Sequence, residues 1–242
     1  MSSYVLITRP KNDAQDLATA VEALGFIPFI EPLLRIEPLA VTLPPLEGFQ
    51  ALVFTSANGA RVFAGMTENR RHPVYCTGDF TAEVARTLGW RTAYSADGDA
   101  GDLMLLLSEA GLDPARPLLH PGGRDVARTI EVPGLGVEHL AIDEAVQERV
   151  LSDDVLDLLD RGQIAAALFF SARTARTCAA LLEKYGRTAA AKSIKTLCLS
   201  DSVVKSLRHL SWRDVQVAKT PDRAGMLALL AQCAPSVKDV KS

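Results

Sequence analysis

Hydroxyl, amide and guanidinium side chains recur directly after short apolar runs along this chain. Arg9 follows the first such run, and Ser56 and Asn58 follow a later one. The remaining members of the set are Thr8, Thr55, Thr77, Gly78, Thr81, Gly122, Gly123, Arg124, Ser171, Arg173, Thr174, Ser200, Ser202, Thr220 and Pro221. Such groups bind carboxylates through hydrogen bonds, and they position and stabilise a ligand more than they attack it. The pattern therefore predicts a site for a multiply carboxylated ligand.

The sequence lacks the motifs of several other catalytic classes. It contains no HExxH, no GxSxG and no Cys/His pair at a useful spacing. The cysteines show no CxxC spacing, which argues against a zinc site or a disulfide framework. Cys76 and Cys198 are expected to be buried thiols. The four histidines are scattered, and we expect each of them to be a surface or loop residue: His72, His120, His139 and His209.

The element that must position these groups is clearest at residues 51–63. Residues 51–54 are apolar on both faces, as in a strand buried within a parallel sheet. Ser56 or Asn58 is then expected to cap the following helix. Ligands of open α/β sheets bind at the carboxyl ends of strands, where helix N-termini favour anions. A single unit of this kind is equally typical of an ordinary capped turn.

The same pattern recurs about half a chain later. Ser56 aligns with Ser171, 115 residues further on, and Trp90 aligns with Trp212, 122 residues further on. A period of this length is typical of a duplicated, domain-sized unit. Near the N-terminus, Asn12 or Asp13 is expected to cap the helix that comes after Arg9–Pro10.

Strands alternate with helices through most of the sequence, which predicts an α/β fold with parallel sheets flanked by helices. Two extended segments, residues 33–39 and 140–150, are expected to be connectors that lie side by side. We therefore expect one discontinuous domain formed by residues 1–37 plus 146–242, and one inserted domain formed by residues 38–145.

Composition narrows the class of protein. The 242 residues carry a formal net charge of −3, which argues against a nucleic-acid binder because no basic patch dominates. No apolar run approaches the length of about 18 residues that a membrane helix needs. The first residues lack the apolar core of a signal peptide. We expect a cytoplasmic protein that contacts neither membrane nor nucleic acid.

Several short motifs succeed one another along nearly the whole chain. They include VLITRP at 5–10, FTSAN at 54–58, GW at 89–90, FS at 170–171 and AKTP at 218–221. In order and spacing these motifs resemble the uroporphyrinogen-III synthase family. The resemblance implies two flavodoxin-like α/β domains joined by a two-stranded linker, with the substrate held in a cleft between the domains.

The resemblance also implies a reaction of haem biosynthesis. Linear hydroxymethylbilane loses its hydroxyl to give an azafulvene, and attack at a substituted carbon gives a spiro intermediate. Fragmentation and recombination then yield uroporphyrinogen III with the D ring inverted. The family needs no metal or cofactor for this lyase reaction. We expect a monomer whose partners are the linear tetrapyrrole and, transiently, the preceding enzyme of the pathway.

Two positions depart from the family pattern. Asp143 stands where many members have a tyrosine implicated in hydroxyl loss, and a carboxyl group donates a proton there only if its pKa is raised. The turn at 200–202 reads Ser-Asp-Ser, where many members have Gly-Pro-Thr. We expect Thr81 and Asp143 at the reacting end of the substrate, with Thr81 the larger contributor. The residues expected to bind substrate are Arg9, Ser56, Asn58, Gly123, Arg124, Ser171, Arg173 and Ser202.

Two other functions stay open from the sequence. The two departures fit a tetrapyrrole- or anion-binding protein that has kept the fold and lost the activity. The α/β pattern by itself also fits an unrelated sugar or phosphate binder, because a fold does not determine a function. An assay that resolves the type I and type III products of hydroxymethylbilane separates these functions.

Overall fold

The computed structural model describes residues 4–126 and 128–233. Strands and helices alternate along these residues. The strands are β1 (Tyr4–Ile7), β2 (Ile27–Ile30), β3 (Leu34–Pro38), β4 (Ala51–Phe54), β5 (Val74–Cys76), β6 (Ala93–Ser95), β7 (Leu118–Gly123), β8 (Val137–Gln147), β9 (Ile164–Phe169), β10 (Lys195–Cys198) and β11 (Asp214–Val217). The helices are α1 (Lys11–Ala23), α2 (Ala57–Met66), α3 (Asp79–Thr87), α4 (Ala100–Glu109), α5 (Asp153–Asp160), α6 (Ala172–Lys184), α7 (Asp201–Lys205) and α8 (Arg223–Ala231).

Contacts along the chain divide it into two compact units. The first consists of residues 1–35 and 146–242, and the second of residues 36–145. That these units are the independent domains of the protein stays a prediction.

The first unit is a five-stranded parallel sheet covered by helices on both faces. Its strand order is β11-β10-β9-β1-β2. Apolar side chains of α5, α6 and α7 pack on one face, and those of α1 and α8 pack on the other. The inner strands read as continuous apolar runs because both of their faces are buried, as in Ile164–Phe169.

The second unit repeats this three-layer arrangement. Strands β8, β7, β4, β5 and β6 pair in parallel in that order, and β3 lies beside β8 at the edge. Helices α2 and α3 pack on one face around Phe54, Phe63 and Trp90. Helix α4 packs on the other face against Ala51 and Val53. The predicted α/β class with parallel sheets flanked by helices is confirmed, whereas the use of β3 and β8 as a linker stays a prediction.

Both units share one strand order, read from different starting points. In the first unit the order is 2-1-3-4-5 along the chain, which is the flavodoxin-like arrangement. The second unit has the same order when its strands are counted from β7 instead of β4. The sequence repeat is therefore out of phase with the compact units, and each unit combines pieces from both halves of the repeat.

The repeated serines occupy equivalent positions in the two sheets. Ser56 follows β4 and caps α2, while Ser171 caps α6 after β9. Each serine hydroxyl accepts a hydrogen bond from the backbone N–H of the residue three positions later in the chain. The expected cap of α1 is wrong, because that helix already begins at Lys11 after Pro10, with no side-chain cap. Asp13 instead accepts a hydrogen bond from Arg9.

Candidate functional site

Most of the predicted site residues lie at or just after the carboxyl ends of strands in both units. In the second unit these ends belong to β4, β5 and β7, with Asp143 within β8 beside the end of β7, and in the first unit they belong to β1, β9 and β10. Parallel pairing collects such ends at one edge of each sheet, and the helices that start there point their free N–H groups toward that edge. Each unit therefore has one edge at which polar groups converge.

Strand β4 is followed by Thr55 and Ser56, which lead into the N-terminus of α2. The Ser56 hydroxyl accepts from the Gly59 backbone N–H at 3.0 Å, so Ser56, and not Asn58, is the cap. Asn58 lies in the first turn, where its side-chain oxygen accepts from Arg61 at 3.2 Å. Helix α2 approaches β7 so closely that a Cβ on Gly59 would lie 3.2 Å from the Pro121 carbonyl oxygen.

The neighbouring strands β4 and β7 meet at the point where the strand order of the second sheet reverses. Across this switch point the Thr55 hydroxyl oxygen and His120 Nε2 lie 3.1 Å apart. The His120 side chain is buried, with 2% of the residue surface exposed, and its ring centroid lies 5.0 Å from that of His139. Burial lowers the pKa of His120 to about 4, and the neighbouring His139 contributes to this lowering. The imidazole is neutral at physiological pH.

This location of His120 corrects the expectation that it is a surface or loop residue. It lies inside β7, in register with His139 of β8. The signal was present in the sequence, because His120 directly follows the apolar pair Leu118–Leu119 and precedes Pro121. His139 and His209 are exposed, and His72 is half-buried.

Beyond His120, strand β7 ends in Gly122 and Gly123, and Arg124 follows them beside Asp143 of β8. The register shifts between Gly122 and Gly123, and the Arg124 backbone N–H donates to the Asp143 carbonyl oxygen at 2.7 Å. The Arg124 guanidinium donates to Glu144 at 2.5 Å. A Cβ on Gly123 would lie 3.3 Å from Asp143 Oδ1, so glycine leaves room for the carboxyl group.

Asp143 has an unusual environment for a carboxyl group. The residue is 5% exposed, and its buried Oδ2 has no hydrogen-bond partner among the described residues. Burial raises the pKa of Asp143 above its ordinary value, and His139 partly offsets the rise. The Asp143 carboxyl group therefore keeps its proton to a higher pH than an ordinary aspartate does, which is the condition stated above for a proton donor at this position.

Thr81 lies in the first turn of α3, after β5. Gly78 is the N-cap residue of this helix, so Thr81 is its third residue and not its cap. Thr81 is 7% exposed. Thr77, just before the cap, donates to the Thr55 carbonyl oxygen at 3.4 Å, which links the end of β5 to the end of β4.

In the first unit the ends of β1 and β9 form the corresponding switch point. The Thr8 hydroxyl is fully buried and donates to the Leu168 carbonyl oxygen at 2.8 Å. Arg9 donates to Asp13 at 2.9 Å and lies 4.6 Å from the centre of the Phe170 ring. The structure thus places Arg9 at the sheet edge with its orientation fixed by a carboxylate and an aromatic face.

The other predicted residues of the first unit belong to helix starts. Ser171 caps α6, and its hydroxyl lies 2.6 Å from that of Thr174. Arg173 is half-buried in the first turn of the same helix. Ser202 is exposed in the short α7, and its hydroxyl lies 2.9 Å from that of Ser200. All three lie after β9 or β10, as predicted.

Comparison with known proteins identifies the family. The model of the family described as uroporphyrinogen-III synthase HemD matches residues 15–228. The chain belongs to the uroporphyrinogen-III synthase family. Family membership assigns it the activity of a uroporphyrinogen-III synthase, an enzyme of haem biosynthesis.

Solved structures of this family are similar to the chain. The uroporphyrinogen-III synthetase of Helicobacter pylori is 14% identical with a TM-score of 0.58, over 96% of this chain and 99% of that one. At this identity the likeness shows the fold alone. A mutant uroporphyrinogen III synthase of Thermus thermophilus is 17% identical, with a TM-score of 0.47 over 96% and 98% of the two chains. No curated protein matches the sequence.

Neither a metal-binding cluster nor a membrane-spanning helix occurs within residues 4–126 and 128–233. No three or more His, Cys, Asp or Glu side chains of this part are grouped so that they would hold a metal ion. No helix there is long and apolar enough to cross a bilayer. Cys76 and Cys198 are buried free thiols, as predicted.

A cavity of about 800 Å³ lies at the opposite, amino-terminal end of β5 and β6 and contains none of the predicted site residues. It is lined by Glu68, Asn69, Arg70, Arg71, His72, Gly89, Arg91 and Thr92. Arg70 donates to four backbone carbonyl groups and lies 4.4 Å from the Trp90 ring, so its charge stabilises the loop around it. The predicted site residues of this unit lie instead at the opposite edge of the sheet, at the carboxyl ends of its strands.

We expect the neutral state of His120 to appear in the pH dependence of stability. The pKa of His120 is about 4 in the folded chain against an ordinary 6.5. Between these two pH values the unfolded chain binds a proton at His120 that the folded chain does not bind. The free energy of unfolding therefore falls as the pH is lowered from about 6.5 to about 4, and it is unaffected by His120 above about pH 6.5. The difference corresponds to about 3 kcal/mol at 1.36 kcal/mol per pKa unit.

The His120→Gln variant tests this expectation in urea unfolding, monitored by Trp90 fluorescence in a Trp212→Phe background. The variant should lose less stability than its parent between about pH 6.5 and 4, because glutamine does not titrate. Equal pH dependence in the parent and His120→Gln would contradict a neutral, buried His120.

Proposed function

We propose that the chain converts hydroxymethylbilane into uroporphyrinogen III with inversion of the D ring and without a cofactor. The observation that carries the finer mechanism is the buried carboxyl group of Asp143, whose Oδ2 has no partner among the described residues. Family membership supports the reaction class. The substrate's eight carboxylates fit the hydroxyl, amide and guanidinium groups at the strand ends.

The groups proposed to bind the substrate carboxylates lie near strand ends and helix N-termini in both units. In the second unit these are Ser56, Asn58, Gly123 and Arg124, near the N-terminus of α2 and the end of β7. In the first unit they are Arg9, Ser171, Arg173 and Ser202. Helix N-termini carry partial positive charge, so carboxylates are stabilised beside Ser56 and Ser171 even without a full ion pair.

Asp143 and Thr81 are the residues proposed to assist loss of the hydroxyl group. Loss of the hydroxyl breaks a C–O bond whose electron pair leaves with the oxygen, and a proton on that oxygen lets it depart as water. A carboxyl group with a raised pKa is able to supply this proton, because it stays protonated closer to the working pH. The Thr81 hydroxyl is too weak an acid for that step but is able to donate a hydrogen bond to the departing oxygen.

This assignment reverses the order expected from the sequence, in which Thr81 contributed more than Asp143. The reason is burial: the sequence places Asp143 in an extended segment, whereas the structure encloses its side chain beside Gly123. The enzyme's remaining task is to hold the rings so that the substituted carbon is attacked, which is catalysis by positioning.

The reaction is tested with purified chain and hydroxymethylbilane, with the type I and type III products resolved chromatographically. The spontaneous product is type I, so a type III product formed in proportion to the enzyme supports the proposal. Type I product alone, with tight binding of the tetrapyrrole, would instead favour the non-catalytic binding protein of the same fold.

Two variants separate the proposed roles. Asp143→Asn should lower kcat about 10²- to 10⁴-fold, the usual contribution of a general acid. Thr81→Ala should lower it about 10- to 1000-fold, or roughly 1.4–4 kcal/mol, with the product still type III. Glu138→Gln is a matched carboxylate control, exposed on the same strand, and should retain wild-type turnover.

The melting temperature of each variant shows whether a lowered turnover reflects lost catalysis or lost folding. Because burial raises the pKa of Asp143, its ionised form is costly in the folded state, and this cost grows as the pH rises through the folded pKa. Asp143→Asn should therefore melt no lower than wild type at pH 7. A folded Asp143→Asn enzyme within about tenfold of wild-type turnover would exclude Asp143 as the acid.

A further inference from the structure

Three residues form a small polar cluster at the switch point of the second sheet. Thr55 directly follows β4, His120 lies within β7, and Gly122 is two residues further along β7. The Thr55 hydroxyl oxygen lies 3.1 Å from His120 Nε2. A Cβ on Gly122 would lie 3.3 Å from the same nitrogen, so the glycine keeps the space above the imidazole clear. Thr55 and Gly122 belong to the strand-end set predicted from the sequence, but none of the three is among the residues expected there to be catalytic or to bind substrate.

We propose that His120 is a positioning residue that fixes the Thr55 hydroxyl as a hydrogen-bond donor to one carboxylate of the substrate. The proposal rests on the proposed function, because it takes the octacarboxylate tetrapyrrole as the ligand of this edge. It adds Thr55 as a binding residue and assigns a task to a buried histidine that the reaction itself does not use.

Hydrogen-bond directions support this assignment. An ionised carboxylate only accepts hydrogen bonds, so a Thr55 hydroxyl that contacts one must point its proton toward the ligand. The Thr55 oxygen is then left to accept, and the group beside it is His120 Nε2. A neutral imidazole satisfies this need by carrying its single proton on Nε2. Ligand binding therefore selects one tautomer of His120 without any change of charge.

The surroundings of His120 favour a neutral ring over an imidazolium. The ring is 2% exposed, and the titratable group that faces it in the described structure is His139, with ring centroids 5.0 Å apart. A positive charge on the His120 ring would be unfavourable, because burial and the neighbouring His139 both lower its pKa. A neutral ring with one N–H gives a hydrogen bond of defined direction, which is the property that positioning requires.

Binding of uroporphyrin III, a stable octacarboxylate, to the full chain tests the proposal by fluorescence titration. Thr55→Val should raise Kd about tenfold, since it removes a hydrogen bond to a charged group. Thr55→Ser, which keeps the hydroxyl, should bind within about threefold of wild type. His120→Phe should weaken binding about as much as Thr55→Val, and His120→Gln, which offers an amide N–H, should restore most of the affinity.

The double variant Thr55→Val/His120→Phe separates positioning from a merely structural role. If His120 acts through Thr55, the double variant should bind about as well as Thr55→Val alone, because the two losses are one interaction. Fully additive losses, or wild-type affinity in Thr55→Val, would overturn the proposal. If His120→Phe fails to fold, Thr55→Val, Thr55→Ser and His120→Gln still decide the outcome.

Two further results keep this test distinct from that of the proposed function. ¹⁵N NMR of the His120 ring should show a shift toward the Nε2–H tautomer when uroporphyrin III is bound, and an unchanged tautomer would count against the proposal. A wild-type chain that yields only type I product but binds uroporphyrin III with the expected Thr55 and His120 dependence would overturn the function and leave this inference standing. Type III product from a chain with no saturable uroporphyrin binding would do the reverse.

Discussion

The parallel pairing of β4 with β7 is the constraint on which the site of the second unit depends. The pairing joins strands that are distant in sequence and places the end of one beside the end of the other, so Thr55 meets His120 across the ladder. It also brings the N-terminus of α2 against Pro121 and Gly122, so closely that a Cβ on Gly59 would lie 3.2 Å from the Pro121 carbonyl oxygen. In the first unit the pairing of β1 with β9 has the same effect, with Thr8 bonded to Leu168.

The buried groups at this edge are uncharged or readily protonated, whereas the exposed ones carry charge. Neutral His120 and the carboxyl group of Asp143 are buried, whereas Arg124 is exposed and forms an ion pair with Glu144. The side chains of that pair are 59% and 33% exposed, so it is worth at most about 1 kcal/mol. A substrate carboxylate is able to replace Glu144 as the partner of Arg124 at small cost. At this edge the exposed groups are therefore paired charges, while the buried groups are an imidazole that is neutral at physiological pH and a carboxyl group whose pKa is raised.

The sequence predicts local features of each strand–turn–helix unit better than it predicts which strands become neighbours. Periodicity and capping residues predicted these units, including Ser56 as one of the two caps expected for α2, because such features depend on local chemistry. The burial of Asp143 depends instead on a register shift between β7 and β8, which no local pattern encodes. The same applies to His120, whose neighbours Thr55 and His139 come from two other strands. The cap expected at Asn12 or Asp13 was wrong because Pro10 already starts the helix and Asp13 accepts a hydrogen bond from Arg9.

The carboxyl edge of the second sheet, and not its opposite edge, is the surface that we infer to bind the tetrapyrrole. Backbone amide NMR of the full chain titrated with uroporphyrin III distinguishes the two edges, because the opposite edge carries its own arginine-lined cavity with Arg71 and Arg91. We expect the largest shifts at Thr55, Thr81 and Gly123, with Arg71 and Arg91 unchanged. Shifts centred on Arg71 and Arg91, with Thr55 and Gly123 unaffected, would contradict binding at the carboxyl edge.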